Sequence, residues 1–269
     1  FTMAEDELKE VADKLSREPK ILKDVPVPYS FLYNNITSII GNYNDRSDYL
    51  KKLIFQIITF HSYVDLKIVI LTDNDKKNTW KDIKNLPYCF SDDKQIRLFA
   101  SKVEEYGIVD SYLEKIFNSR KEESQREADP SKYDKIYLII TDSFKMIRNQ
   151  DFIQNLLKTK ENYGFSFIIS NGNIATLPDQ CKNFIKVDSA TGELSKNVIN
   201  EKNQTFSIDL INGVNYNECY KILSNTPIEV SDNSEAKLPD KLGFLEMYDV
   251  GNVNQLNIVN RWKNNDVIN

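Results

Sequence analysis

Three near-continuous apolar runs constrain this chain most: DLKIVILTD (65–73), IYLIITD (136–142) and FSFIISN (165–171). A strand with one wet face alternates apolar and polar residues. These runs hardly alternate, so they predict strands covered on both sides, as in a parallel sheet. Amphipathic stretches separate them. Residues 47–60 place Leu50, Leu53, Ile54, Ile57 and Ile58 at helical spacing. Residues 107–127 form a long helix with a charged end, and FIQNLLKTKENYG reads as a helix closed by Gly164. Apolar strands alternating with helices imply an α/β fold, a mostly parallel sheet flanked by helices.

The remaining segments fill in that outline. Residues 5–18 are a charged amphipathic helix with acids early and bases late, which suits the helix dipole. VPVPYSFLY (25–33) is extended, because each proline biases the residue before it away from helix. Thr37–Ile40 is a short buried strand, NTWKDIKNLPYCF a helical turn stopped at Pro87, and IRLFA (96–100) another short strand. Past CKNFIKVD, residues 191–211 read as a β-hairpin or a pair of edge strands, and NYNECYKILSN as a helix. The tail, LPDKLGFLEMYDV and NVNQLNIVNRWKNND, gives a strand and a short helix.

Bulk properties exclude several functions. A chain of 269 residues holds one large or two small domains. A net charge of −5 gives no global pull toward nucleic acid or anionic lipid. Cys89, Cys181 and Cys219 are odd in number and far apart, which suggests reduced thiols rather than a disulfide framework. The single histidine, His61, lacks metal-binding neighbours, so no metal site is expected. No apolar run reaches the ~18 residues of a membrane span, and no signal peptide is apparent. The chain reads as cytosolic.

One loop raises the question of phosphate chemistry. Thr37–Ile40 runs into Gly41, then Asn42-Tyr43-Asn44-Asp45, and Arg46 opens the next helix. A P-loop has the same order of strand, glycine, four residues and helix, but its helix opens Gly-Lys-Ser/Thr. Here Arg46, Ser47 and Asp48 stand at those three positions. A phosphate cradle also needs successive backbone N–H groups around the anion. Asp45 and Asp48 would bring negative charge to it, and the helix dipole stabilises those acids without any ligand. A capped helix start is the reading that these residues favour.

IYLIITDS resembles a Walker B strand, whose acid positions Mg²⁺ and whose following Glu polarises water. Asp142 fits the first role, and Ser143 stands where the Glu would be. Loop and strand together point to P-loop ancestry rather than to turnover. His61, Ser62 and Asp65 invite a triad reading, but a helix-to-strand turn accounts for them, and no G-x-S-x-G elbow occurs. Asp92 and Asp93 read as a solvent-facing turn. Trp80 and Trp262 read as core or interface anchors.

Several segments carry a family likeness: ILKDVPVPYSFL, SIIG, LIFQIITFHSYVDLKIVILTD, WKDIKNLP, LPDQC and LPDKLGFLEMYDV…LNIVNRWKNN. From about residue 20 onward the chain resembles the cytosolic region of membrane-anchored FtsK/SpoIIIE-type ATPases of type VII secretion systems, the EssC/EccC family. The resemblance implies a P-loop NTPase-like (RecA/FtsK-like) fold with an added hairpin and a C-terminal connector. It further implies the degenerate ATPase-like module that precedes the first true ATPase. Residues 1–24 would then be an N-terminal helix and linker, 25–225 the degenerate domain and 226–269 the connector to the next module.

Under that resemblance Gly41, Asn42, Asn44, Arg46 and Ser47 occupy the Walker A position and Asp142 the Walker B position of an altered nucleotide site. No residue is expected to be catalytic and no ATP or Mg²⁺ is expected to bind. The implied partners are other domains of the same ATPase, the secretion membrane subunits and, through the whole motor, WXG-type substrates. Nucleic acid is not among them, and membrane contact would come only from helices outside this chain. The location is the cytoplasmic face of the membrane. Two alternatives remain open: an active or regulatory Mg·ATP-dependent domain, in which Lys51 or Lys52 supplies the missing cation, and an FtsK-like DNA translocase, which would show a basic stripe and salt-dependent DNA affinity.

Overall fold

A computed structural model describes residues 3–17, 25–123, 129–196, 203–208 and 213–226. The chain divides into two compact units, Phe1–Asn225 and Thr226–Asn269. The first holds the strands and helices described below. The expected tail strand and helix, with Arg261 and Trp262, lie outside the described residues.

The three apolar runs become β2 (Leu66–Leu71), β4 (Ile136–Thr141) and β5 (Phe165–Asn171). They join β1 (Ile36–Ile40), β3 (Phe99–Ala100), β6 (Asn183–Val187), β7 (Thr191–Lys196) and β8 (Gln204–Ser207) in one eight-stranded sheet. Its order is β3-β2-β4-β5-β1-β6-β7-β8. The pairs from β3 to β6 are parallel, and β7 and β8 append an antiparallel hairpin. The α/β architecture with its added hairpin is therefore present.

Side chains alternate across this sheet into two apolar layers. Ile39, Ile68, Ile70, Leu138, Ile140 and Ile168 face one side, where Leu50 and Ile54 of α2 (Tyr43–Phe60) cover them. Val69, Leu71, Ile139, Phe165, Phe167 and Ile169 face the other. There α3 (Val103–Glu123), α4 (Phe144–Ile147) and α5 (Asp151–Lys158) cover them. Covering both faces explains why the strand sequences barely alternate. The first layer also receives Tyr220 of α6 (Tyr216–Asn225), whose hydroxyl donates to the Lys51 carbonyl, and Trp80. The remaining helix, α1 (Met3–Arg17), precedes β1 and exposes Leu8, Val11 and Leu15.

Several details differ from the sequence expectations: α3 begins at Val103 rather than Gly107, and Pro87 opens a short helical turn instead of ending one. Helix α2 begins at Tyr43, not at Arg46, because Asn42 caps it: the Asn42 side chain accepts from Asp45 N–H at 3.0 Å. Helix α5 ends at Lys158, so Gly164 closes no helix. It sits instead at φ +81° in the turn into β5, where Asn162 Oδ1 accepts from the N–H groups of Gly164 and Phe165. Strand β3 keeps only Phe99 and Ala100 of the expected five residues, while Arg97 forms an isolated bridge with Phe90. Within the segment expected to be extended, Tyr33 N–H and the Asn34 side chain turn back onto Ser30.

Candidate functional site

In open α/β sheets ligands bind outside the carboxyl ends of the strands, where connections diverge to opposite faces. That point here lies between β1 and β5. From β1 the chain enters α2 on one face, whereas the β5–β6 connection crosses the other, burying Cys181 there. The registers Ile39↔Ser170 and Ile40↔Asn171 bring Gly41 and Ser170 to the two rims of the crevice.

Arg46 fills it. The side chain leaves the first turn of α2, is 9% exposed, and donates from Nε to the Gly41 carbonyl and from Nη1 to Ser170 Oγ, both at 2.9 Å. Burial pushes the guanidinium below its usual pKa, while the charge of Asp142 and the hydroxyl of Tyr43 pull it back up. Gly41 turns at φ +153°, and a Cβ there would stand 2.5 Å from the Val187 carbonyl. Only glycine fits between the end of β1 and the end of β6.

The connection from β1 to α2 is thus Gly41 and Asn42 alone. A cradle of successive free N–H groups takes a turn or nest conformation, whereas Asn42 is extended and the helix follows at once. Asn44 is exposed in the first helical turn, Ser47 is half-buried one residue beyond Arg46, and Asp48 pairs with Lys52 at 2.6 Å. The four-residue spacing between Gly41 and Arg46, which imitates a P-loop in sequence, is a cap followed by one turn of helix.

Asp142 lies at the end of β4, one strand beyond β5. Thr72 Oγ1 and Ser143 Oγ donate to its Oδ1 at 2.7 and 3.1 Å, and Trp80 Nε1 donates to Oδ2 at 3.1 Å. Lys76 Nζ donates to its carbonyl at 2.9 Å and to Ser143 Oγ at 3.2 Å. Tyr106 braces the same cluster through the Thr72 carbonyl, and burial pushes its phenol up to about 12. Both carboxylate oxygens therefore already hold neutral donors, and the ammonium of Lys76 is held by the backbone carbonyl and by Ser143. In a P-loop site a Walker B acid holds Mg²⁺ together with a P-loop hydroxyl, beside a P-loop lysine; Arg46, Ser47 and Asp48 stand here where the glycine, lysine and hydroxyl would be.

The structure brings together Gly41, Arg46 and the charge of Asp142, and leaves Asn42, Asn44 and Ser47 as helix-start residues. Sequence reasoning missed Thr72, Lys76 and Ser170, and assigned Trp80 to the core without its polar contact. Two signals were available. Trp80 and Lys76 follow the end of β2, and the Asn42-x-x-Asp45 spacing resembles a capping box. Elsewhere His61 is exposed and ends α2 through its backbone N–H to the Ile57 carbonyl. Asp92 forms ion pairs with Lys67 and Lys135. Among the described residues no three His, Cys, Asp or Glu side chains are grouped to hold a metal, and no helix is long and apolar enough to cross a membrane.

No protein-family profile matches the chain. The type VII secretion system protein EssC of Staphylococcus aureus is 29% identical over 277 residues, covering 99% of this chain and 18% of the relative. The ESX secretion system protein EccC of Geobacillus thermodenitrificans is 22% identical over 265 residues, covering 96% of this chain and 17% of the relative. The chain thus spans under a fifth of the length of these curated relatives. Among solved structures, ATPases 2 and 3 of EssC from Geobacillus thermodenitrificans superpose with a TM-score of 0.54 at 14% identity, over 73% of this chain and 44% of that one. The cytoplasmic domain of EssC gives a TM-score of 0.51 at 12% identity, over 73% and 45%. The structural likeness shows the fold alone.

Proposed function

We propose that this chain, homologous to the EssC/EccC ATPases of type VII secretion systems, is a non-catalytic ATPase-like module of such a motor. It would form part of the cytoplasmic portion of a membrane-anchored protein and couple the membrane part and its neighbouring subunits to active ATPase modules that export WXG-type proteins. In this reading residues 25–225 are the module, preceded by a helix and linker (1–24) and followed by a connector (226–269). It binds neither nucleic acid nor Mg·ATP. A fold can persist as a scaffold after its site has gone.

One observation carries the reading. The switch-point crevice is filled by the chain's own Arg46 guanidinium, donating to Gly41 and Ser170. The occupied carboxylate of Asp142 supports it. A steady-state ATPase assay on the purified chain tests it, with Asp142→Asn in parallel. The expected outcome is no hydrolysis in either protein. Turnover that the substitution abolishes would overturn the proposal in favour of an active nucleotide-binding domain.

A further inference from the structure

The crevice that Arg46 fills is lined by groups suited to a cation. The Gly41 carbonyl and Ser170 Oγ both offer lone pairs to the guanidinium, and the Asp142 charge attracts it. An anion placed there would meet the Gly41 carbonyl oxygen and be repelled by the charge of Asp142. Gly172 lies alongside: a Cβ built on it would stand 3.7 Å from Arg46 Nη2 and 3.7 Å from the Gly41 carbonyl, an ordinary contact distance.

The arginine also joins elements that are far apart in sequence. It rises from the first turn of α2, bonds the turn after β1 and reaches Ser170, 124 residues away on β5. In a P-loop module the phosphates and Mg²⁺ join the loop at the helix start to the Walker B strand, so that link depends on the nucleotide. Here the link is covalently part of the chain. A ligand shifts a conformational equilibrium only by its differential affinity for the two states, and a link that never leaves shifts nothing.

We propose that the crevice between β1 and β5 is a guanidinium site filled in cis by Arg46, which holds the start of α2 against β5 whatever the nucleotide concentration. The inference rests on the reading that the module takes no nucleotide, and it deepens that reading by naming the chemistry the site accepts. It predicts that an emptied site will accept a free guanidinium ion.

The test is thermal unfolding of the purified chain carrying Arg46→Ala, in tens of millimolar guanidinium chloride or in sodium chloride of equal ionic strength. Wild type and Leu50→Ala, a core variant of the same helix, serve as controls. Arg46→Ala is expected to lower Tm by several degrees, with guanidinium restoring at least half of the loss. The same ion should not raise Tm for wild type or for Leu50→Ala. If Arg46→Ala does not fold, Arg46→Met keeps the apolar stem and carries the same measurement.

Absence of rescue overturns the inference and leaves the non-catalytic reading standing. So does a Tm gain from inorganic triphosphate that exceeds the gain from guanidinium, since the arginine would then be blocking an anion site. Hydrolysis by the wild-type chain that depends on Asp142 overturns the underlying reading instead. The two failures are thereby told apart.

Discussion

Two arginines, at opposite ends of the sheet, solve related problems by different means. At the carboxyl ends, Arg46 of α2 reaches the turn at Gly41 and the side chain of Ser170. At the amino ends, Arg120 of α3 donates to the carbonyls of Tyr163 and Lys135, both at 2.7 Å, next to the turn at Gly164. Each bonds a strand-end turn whose glycine has positive φ. Burial lowers the pKa of both guanidinium groups. Their surroundings differ. Arg120 lies against the rings of Tyr133, Tyr137 and Phe165, 4.6 to 5.4 Å from their centroids. Arg46 is surrounded instead by oxygen acceptors and the charge of Asp142. The first-named arginine therefore occupies a place where such folds bind ligands, and the second is built into packing.

The comparison predicts an ordered set of losses. Arg120→Ala should cost most, about 3 kcal/mol, because it strands two carbonyls and removes three cation–π contacts. Urea unfolding measures this, and a loss below that of Arg46→Ala would break the comparison. Gly41→Ala comes next, at between about 2 and 3 kcal/mol, since the new Cβ meets the Val187 backbone, which cannot swing away. Gly164→Ala should cost about as much, because at φ +81° its Cβ would be strained and would meet Arg120 Nη1, the atom that holds the Tyr163 carbonyl. Arg46→Ala should lose about 2 kcal/mol, the scale of charge-assisted hydrogen bonds whose acceptors partly rehydrate.

The smallest effect concerns the amino-terminal edge and depends on pH. Burial of Asp92 opposes its charge, but hydrogen bonds from Lys135 and Lys67 outweigh that and hold its carboxyl below the ordinary range. A depressed folded pKa gives stability that is present above the unfolded value, about 3.9, and is lost as pH falls through the folded value. Asp92→Asn should therefore destabilise slightly at neutral pH, and the difference from wild type should vanish under strongly acidic conditions. Because Asp92 is 59% exposed, salt should shrink the effect as well. A gap that persists unchanged in acid would sharpen the comparison against an electrostatic role at this edge.

Much of the scaffold was legible in the sequence, because burial on both faces leaves a direct mark on composition. The runs around Ile68, Ile139 and Phe167 announced the parallel sheet, and residues 191–211 announced the hairpin at its edge. The start of α2 was less legible. Its apolar period begins only at Leu50, so the polar first turn, Tyr43–Arg46, looked like loop. The site was legible only in part. Gly41 and Asp142 stood out by position, yet what surrounds them comes from remote segments: Ser170 lies on β5, and Thr72 and Trp80 follow β2. Long-range pairing of this kind leaves no periodic trace. Gly164 misled for the opposite reason, because a positive-φ glycine serves a strand entry as readily as a helix end.

Isothermal titration of Mg·ATP into the purified wild-type chain tests most directly the claim that the crevice is closed by the chain's own side chains. The account predicts no binding heat up to millimolar nucleotide, with Asp142→Ala indistinguishable from wild type. Saturable binding that Asp142→Ala removes would contradict it, and would mean that Arg46 yields its place to a nucleotide.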